Sequence, residues 1–428
     1  MAHAVAKQDA LAARIAGLSF APEGWLGAAR AGALARLSAM GLPGKRDEYW
    51  RYTDPASLTA ADAPKAALFA ADDEPMTFAG LDRLKIVFVD GVFDPAQSDD
   101  LALAGVEIER LGDAARHDIH WAQGLYGVLE ARGQVPVARP LAVLNSAFAT
   151  DGMLIRVTGK AARPVSLIYH HKSEVSDATL HHCVKLEEGA EITILENGPA
   201  AARFNKVMEV DVAKGARFHH VRSQGRDHER RAVTHVFARL AEGALFKSFT
   251  LTANGVLTRN EAIIELLGDD AVAHVAGAAV GDGAFHHDDT VFVTHAGQRC
   301  ESRQVFKKVL KNGAVGVFQG KILVKQGAQK TDGYQISQSL LLDGDSQFLA
   351  KPELEIYADD VKCSHGSTSG AIDETALFYL QSRGVPKRAA QGLLVLAFLA
   401  EAISEIEDEA IAEDIRARLE GWLARHDH

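Results

Sequence analysis

The chain has 428 residues, 47% of them hydrophobic, and a formal net charge of −11. That length exceeds one ordinary compact domain, so two or three structural units with a large buried core are expected. The acidic balance excludes nucleic acid as a general partner, because phosphate binding needs a basic surface. Three cysteines, Cys183, Cys300 and Cys363, make no disulfide framework in a chain this long, which fits a reducing compartment. The first twenty residues mix charges with alanines and lack the apolar centre of a signal peptide. No apolar run reaches the roughly 18 residues that span a bilayer. A cytoplasmic protein without a membrane partner is expected.

Residues 1–130 read as a mainly helical N-terminal domain, with apolar positions at helical spacing around Leu11, Ile15, Leu34 and Leu37. Gly41-Leu42-Pro43-Gly44 breaks that pattern. Ile86-Val87-Phe88-Val89 reads as a strand ending in the turn Asp90-Gly91.

From 131 to 365 the texture becomes β. Short runs such as Glu191-Ile192-Thr193-Ile194-Leu195 and Val233-Thr234-His235-Val236-Phe237 alternate with glycine turns. A polar residue, Gly and Ala recur together at Glu188-Gly189-Ala190, Lys214-Gly215-Ala216, Glu242-Gly243-Ala244, Asp282-Gly283-Ala284, Asn312-Gly313-Ala314 and Gln326-Gly327-Ala328. A recurring strand-plus-turn unit without intervening helices is what a stacked β-solenoid needs. A large antiparallel sandwich or barrel also shows short strands and glycine turns. The regular corner favours the solenoid.

Residues 366–428 return to a helical period and read as a C-terminal helical domain. A first helix covers Asp373 to Leu380, with acids where the helix dipole favours them. A second runs from Lys387 to about Ile406 and a third from about Glu409 to Ala424. A solenoid's open end exposes backbone groups, and these helices are expected to cap it.

The strongest chemical feature is Asp359-Asp360-Val361-Lys362-Cys363-Ser364-His365-Gly366, at the junction of strands and helices. A cysteine and a histidine two apart on a strand project to one face, where thiolate and imidazole can share one metal or iron–sulfur edge. Two ligands do not close a tetrahedral site, so others must come from elsewhere. The competing reading is a buried structural thiol beside a capping histidine. Histidine pairs stand at His170-His171, His181-His182, His219-His220 and His286-His287, with His274 and His295 nearby. Adjacent strand residues face opposite ways, so a pair is not a bidentate site, although one histidine per coil could stack into a metal-binding column. His181-His182-Cys183 is the most metal-like of these. Cys300 reads as a buried or incidental thiol. Gly316 to Ile322 resembles part of a phosphate loop but has one spacer too few, and Ile322 stands where Ser or Thr is needed. No G-x-S-x-G elbow and no H-E-x-x-H are present, so the chain shows no complete catalytic constellation.

The stretch from Lys351 to Thr368, followed by Leu377-Phe378-Tyr379-Leu380-Gln381-Ser382-Arg383-Gly384, resembles the C-terminal signature of the SufB/SufD family. Ser302-Arg303-Gln304, Val317 to Val324 and Gln329 to Asp332 are similar to that family's strand core. The segment Leu42 to Thr53, with Trp50 and Tyr52-Thr53, resembles the SufD branch. Gly366 stands where the SufB branch carries a glutamate implicated in cluster building. The resemblance implies a right-handed parallel β-helix between helical N- and C-terminal domains. It implies a non-catalytic scaffold subunit of iron–sulfur cluster assembly, pairing with a SufB-type subunit through the β-helix. It also implies docking of a SufC-type ATPase on the C-terminal helical domain. A transient cluster or iron would be held at the subunit interface, with His365 as ligand or iron-entry residue and Cys363 beside it. Two alternatives stand beside it: a homodimer that itself holds a transient cluster, and a β-helical polysaccharide lyase or hydrolase. The latter would need clustered acid/base groups on one solenoid face.

Overall fold

A computed structural model describes residues 2–21, 24–68, 76–225 and 228–426. The chain opens with helices α1 (Ala2–Ile15) and α2 (Leu26–Met40) and a short α3 (Ala56–Thr59). Leu11 and Leu37 are buried at the positions their spacing predicts. Gly41 ends α2 at φ +68°, its N–H bonded to the Leu37 carbonyl. Strands β1 (Leu84–Val89), β2 (Val92–Phe93) and β3 (Val106–Arg110) follow, then helices α4 (Leu111–Ala114), α5 (Val128–Arg132) and α6 (Pro140–Phe148). The expected turn joins β1 to β2, with both Asp90 and Gly91 at positive φ.

The body of the chain is β4 (Met153–Val157), β5 (Val165–His170), β6 (Asp177–Leu186), β7 (Glu191–Asn197), β8 (Arg203–Val212), β9 (Arg217–Gln224), β10 (Arg231–Leu240) and β11 (Leu245–Ala253). It continues through β12 (Leu257–Leu266), β13 (Val272–Asp282), β14 (His286–His295), β15 (Glu301–Lys311), β16 (Val315–Val324), β17 (Thr331–Leu341), β18 (Gln347–Ile356) and β19 (Val361–Gly370). Odd-numbered strands from β5 onward form one sheet and even-numbered strands from β4 form the other, each strand parallel to the one a full coil away. In the ladders Asp177 lies beside Arg203, Arg203 beside Arg231, and Arg231 beside Leu257. The result is a parallel β-solenoid with two strands per coil.

The recurring Gly-Ala corners explain the repeat. The N–H of Gly189 bonds the Lys214 carbonyl, Gly215 bonds Glu242, and Gly243 bonds Asp269, so each corner sits on the next. These three glycines have φ between 62° and 67°, a region costly for any residue with a Cβ. Inside the bore, equivalent positions stack at the ladder spacing: Phe218 and Phe246, paired in register, have ring centroids 5.2 Å apart.

The 1–130 stretch is not helical throughout, because β1 extends the odd sheet in parallel with β5 and β3 pairs antiparallel with β4. Its helices and α6 lie on the outer face of the even sheet, where Leu129, Ala142 and Leu144 meet Cys183, Phe237 and Val233. At the other end come α7 (Glu374–Ser382), α8 (Lys387–Ile403) and α9 (Glu409–Arg425). Asp373 and Asp408 cap α7 and α9 by accepting N–H groups of their first turns.

The expected end cap does not form. Val395, Leu399 and Ile403 of α8 pack on Phe249, Ala278 and Val305, which are on the outer flank of the odd sheet. Ion pairs tie this helix and the residues just after it to that flank, Lys307 to Glu401 at 2.6 Å and Arg303 to Glu405 at 2.6 Å. The helices follow the apolar area, and that area is on the flank. Among the described residues no helix is long and apolar enough to cross a membrane.

Candidate metal centre at the open end of the solenoid

The last coil is β18 and β19. Among the described residues strand β19 bonds only to β17, and β18 only to β16, so both present an unpaired outward edge of ten residues. Such an edge offers rows of free N–H and C=O groups to another chain. Cys363 pairs with Gly333 and His365 with Gln335 on the ladder beneath. Cys363 packs with Ile322, Val324 and Leu354, whose side chains fill the bore, so the alternation of β19 turns both Cys363 and His365 to the bore side at its mouth.

Gly333 makes room there: a Cβ on it would stand 3.2 Å from Cys363 Sγ. The thiol is half-buried, and this burial pushes its pKa up. The His365 side chain is exposed and, among the described residues, has no hydrogen bond or ion pair within the chain. Next to it, Gly366 meets open space. A soft thiol and a free imidazole thus share one face at an uncovered rim. That arrangement supplies two donors and leaves the remaining positions of a tetrahedral ion to something outside this chain.

The segment from Leu42 to Thr53 is clamped on the even sheet close to this end. Thr53 Oγ1 donates to Asp288 at 2.6 Å, Arg259 stacks over the Trp50 ring at 4.2 Å, and Lys351 lies 4.0 Å from the Tyr49 ring centre while pairing with Glu48. Tyr49 donates to Glu353 of β18. The basic, acidic and aromatic residues of that segment are therefore a strap across the even-numbered strands.

The histidine pairs split as strand geometry requires, but they do not form a column. In the ladders His220 lies beside Ser248, His182 beside Met208 and His287 beside Thr258. His181, Cys183 and Glu209 do come together, with donor atoms within 4.8 Å of one another. They are enclosed under the N-terminal helices, and His181 and Glu209 are already bonded. His181 Nε2 reaches Glu209 at 3.0 Å, and its Nδ1 reaches Asn145 Oδ1 at 3.0 Å. Glu209 accepts the backbone N–H of Gly127 at 2.5 Å and of Glu130 at 2.7 Å. Burial pushes the Cys183 thiol far up. This group anchors α5 to the even sheet. Cys300 is buried, its Sγ 3.2 Å from the Gly268 carbonyl oxygen, and burial raises its pKa as well.

Sequence reasoning missed the charged interior of the middle coils. Glu196 of β7 projects into the bore and pairs with Lys206. It also accepts from His220 Nε2 at 2.7 Å and from the Tyr169 hydroxyl at 2.8 Å. Burial would raise the Glu196 carboxyl, but the Lys206 charge and the His220 bond outweigh it and hold it well below the usual range. Burial lowers Lys206 to about 8 against the pull of Glu196, and lowers His182 to about 3. A second cluster joins Asp289, His287 and Lys308, with Lys308 Nζ at 2.6 Å from Asp289 and 2.9 Å from His287 Nδ1. The available signal was a charge at an inward position of the alternation, which is readable only once the register is known.

The chain is thus a parallel β-solenoid clad on two flanks, with Cys363 and His365 at its uncovered end. The comparisons give its family. Residues 169–398 match the family described as SUF system FeS cluster assembly, SufBD core domain. The chain is 31% identical over 407 residues to the iron–sulfur cluster assembly protein SufD of Escherichia coli, covering 90% of each. It is 26% identical over 416 residues to SufD of Bacillus subtilis, covering 92% of this chain and 93% of the relative. A SufBD family protein of Synechocystis is 26% identical over 406 residues, covering 88% and 86%. The chain belongs to the SufB/SufD family of iron–sulfur cluster assembly proteins and is of the SufD type. Of the two classes raised by the sequence, the family match supports cluster assembly.

Proposed function

We propose that this chain is a non-catalytic, cytoplasmic subunit of a cluster-assembly scaffold, whose open coil pairs with a SufB-type solenoid. The observation that carries this reading is the unpaired double edge of β18 and β19 with His365 free beside it. In this reading iron, or the nascent cluster, is cargo held at the junction. His365 supplies an imidazole nitrogen, Cys363 supplies or supports a sulfur, and the sister subunit supplies the rest. The C-terminal helices would dock a SufC-type ATPase. Phe378 and Tyr379 of α7 and Leu393 of α8 support this, being 72%, 56% and 51% exposed on elements whose other faces are packed.

The test is affinity purification of the full chain from its native cytoplasm, combined with His365→Ala in cells. Recovery of a related solenoid subunit and an ATPase is expected. The variant is expected to retain both partners while losing cluster delivery to a reporter enzyme. Recovery of the chain only as a homodimer, or normal delivery by the variant, would defeat the proposal.

A further inference from the structure

Beneath His365 the wall of the bore carries a ladder of amides. His365 of β19 lies beside Gln335 of β17, and Gln335 lies beside Gln304 of β15, all at one register position. Gln304 and Gln335 are both fully buried. Gln335 Nε2 donates to Gln304 Oε1 at 2.8 Å. That bond leaves Gln335 Oε1, and Gln304 Nε2 at the other end, with no partner in the chain. A buried amide oxygen left unmade costs about 1–3 kcal/mol, so its position calls for a donor. The space for the Gln335 amide is itself provided, because a Cβ on Gly320 would collide with Nε2. The neighbouring rungs are already closed, Ser337 to Ser367 at 3.0 Å and Ser339 to Ser369 at 2.8 Å. Only the rung under His365 is open among these three.

We infer that Gln335 is a positioning residue for His365. Its Oε1 accepts one imidazole N–H, which fixes the tautomer and leaves the other ring nitrogen bare for iron. A histidine binds metal as the neutral ring, and the bond made by its second nitrogen decides which nitrogen faces the metal. Gln304 holds Gln335 by the lower bond and so sets the direction of the free oxygen. The iron role of His365 is taken from the proposed function; the ladder from Gln335 to the ring does not depend on it.

The experiment uses the full chain with ¹⁵N-labelled histidine, the His365 ring signals being assigned by their loss in His365→Ala. Wild type is expected to show one dominant tautomer, and Gln335→Leu a mixture of the two. Zn(II), a redox-inert stand-in for Fe(II), is expected to bind the Leu variant roughly tenfold more weakly, the scale of losing a ligand's supporting bond. Should Gln335→Leu fail to fold, Gln335→Glu keeps the length and an acceptor oxygen, and is expected to move the ring N–H signal further downfield. Ring signals identical to wild type in whichever variant folds would overturn the inference. A wild-type chain with one tautomer whose His365 signals ignore Zn(II) would instead count against the metal role alone, with the ladder standing.

Discussion

The middle coils and the last coil are built on the same strand alternation, yet they treat their inward polar residues in opposite ways. In the middle, Glu196, Lys206, His220 and Tyr169 close on one another. At the end, the oxygen of Gln335 and, among the described residues, the His365 side chain stand without a partner, beside the half-buried thiol of Cys363. An interior charge left unmatched destabilises the fold, whereas a donor left free at an open rim costs little and is available to bind. The contrast separates polar groups that hold the solenoid together from those that it presents.

The largest expected effect breaks the closed side of this contrast. Lys206→Met leaves the Glu196 carboxylate buried without its cation and should cost about 3–5 kcal/mol in denaturant unfolding. A loss below about 1 kcal/mol would mean that the bore admits water at this point.

Acid should act on the same cluster. The folded pKa of His182, about 3, and those of His220 and Glu196 lie below their ordinary values. The unfolded chain therefore binds more protons as pH falls, and stability declines with it. The loss begins near the ordinary histidine value of about 6.5 and deepens below about 4.3 as Glu196 takes part. The unfolding midpoint measured at pH 7, 6 and 5 should fall at each step; a flat profile would contradict the buried neutral histidines.

The thiols sharpen the comparison at smaller scale. Cys183→Ser puts a hydroxyl into an enclosed site and should cost about 1–3 kcal/mol, while Cys363→Ser at the half-open mouth should cost under about 1 kcal/mol. Equal costs would place Cys363 in the core. Smallest of all in stability, Phe378→Asp on the exposed face of α7 should stay within about 0.5 kcal/mol of wild type. The same change should abolish co-purification of the ATPase, and full retention of that partner would move its docking site elsewhere.

Much of this was legible in the chain itself. The corners at Gly189, Gly215 and Gly243 announce a coil because each demands a positive φ at a repeating distance. Asp373 and Asp408 mark helix starts because a cap acts within one turn. The Cys363–His365 spacing put both on one face wherever the strand lay. The flank chosen by α8 was not legible, since it depended on apolar positions of β11, β13 and β15 that become a surface only when stacked. Nor was the fate of the histidine pairs, because residues on other strands decide what most of them meet.

The sequence by itself determined the strands, their corners, the helix caps and the Cys-x-His motif, all of them set by interactions within a few residues. Tertiary structure alone decided that the helices clothe the sides and leave the end bare, that Glu196 meets Lys206, and that Gln335 comes to lie under His365. Those outcomes follow from which coil stacks on which, and a shift of one residue in that stacking would turn every inward group outward.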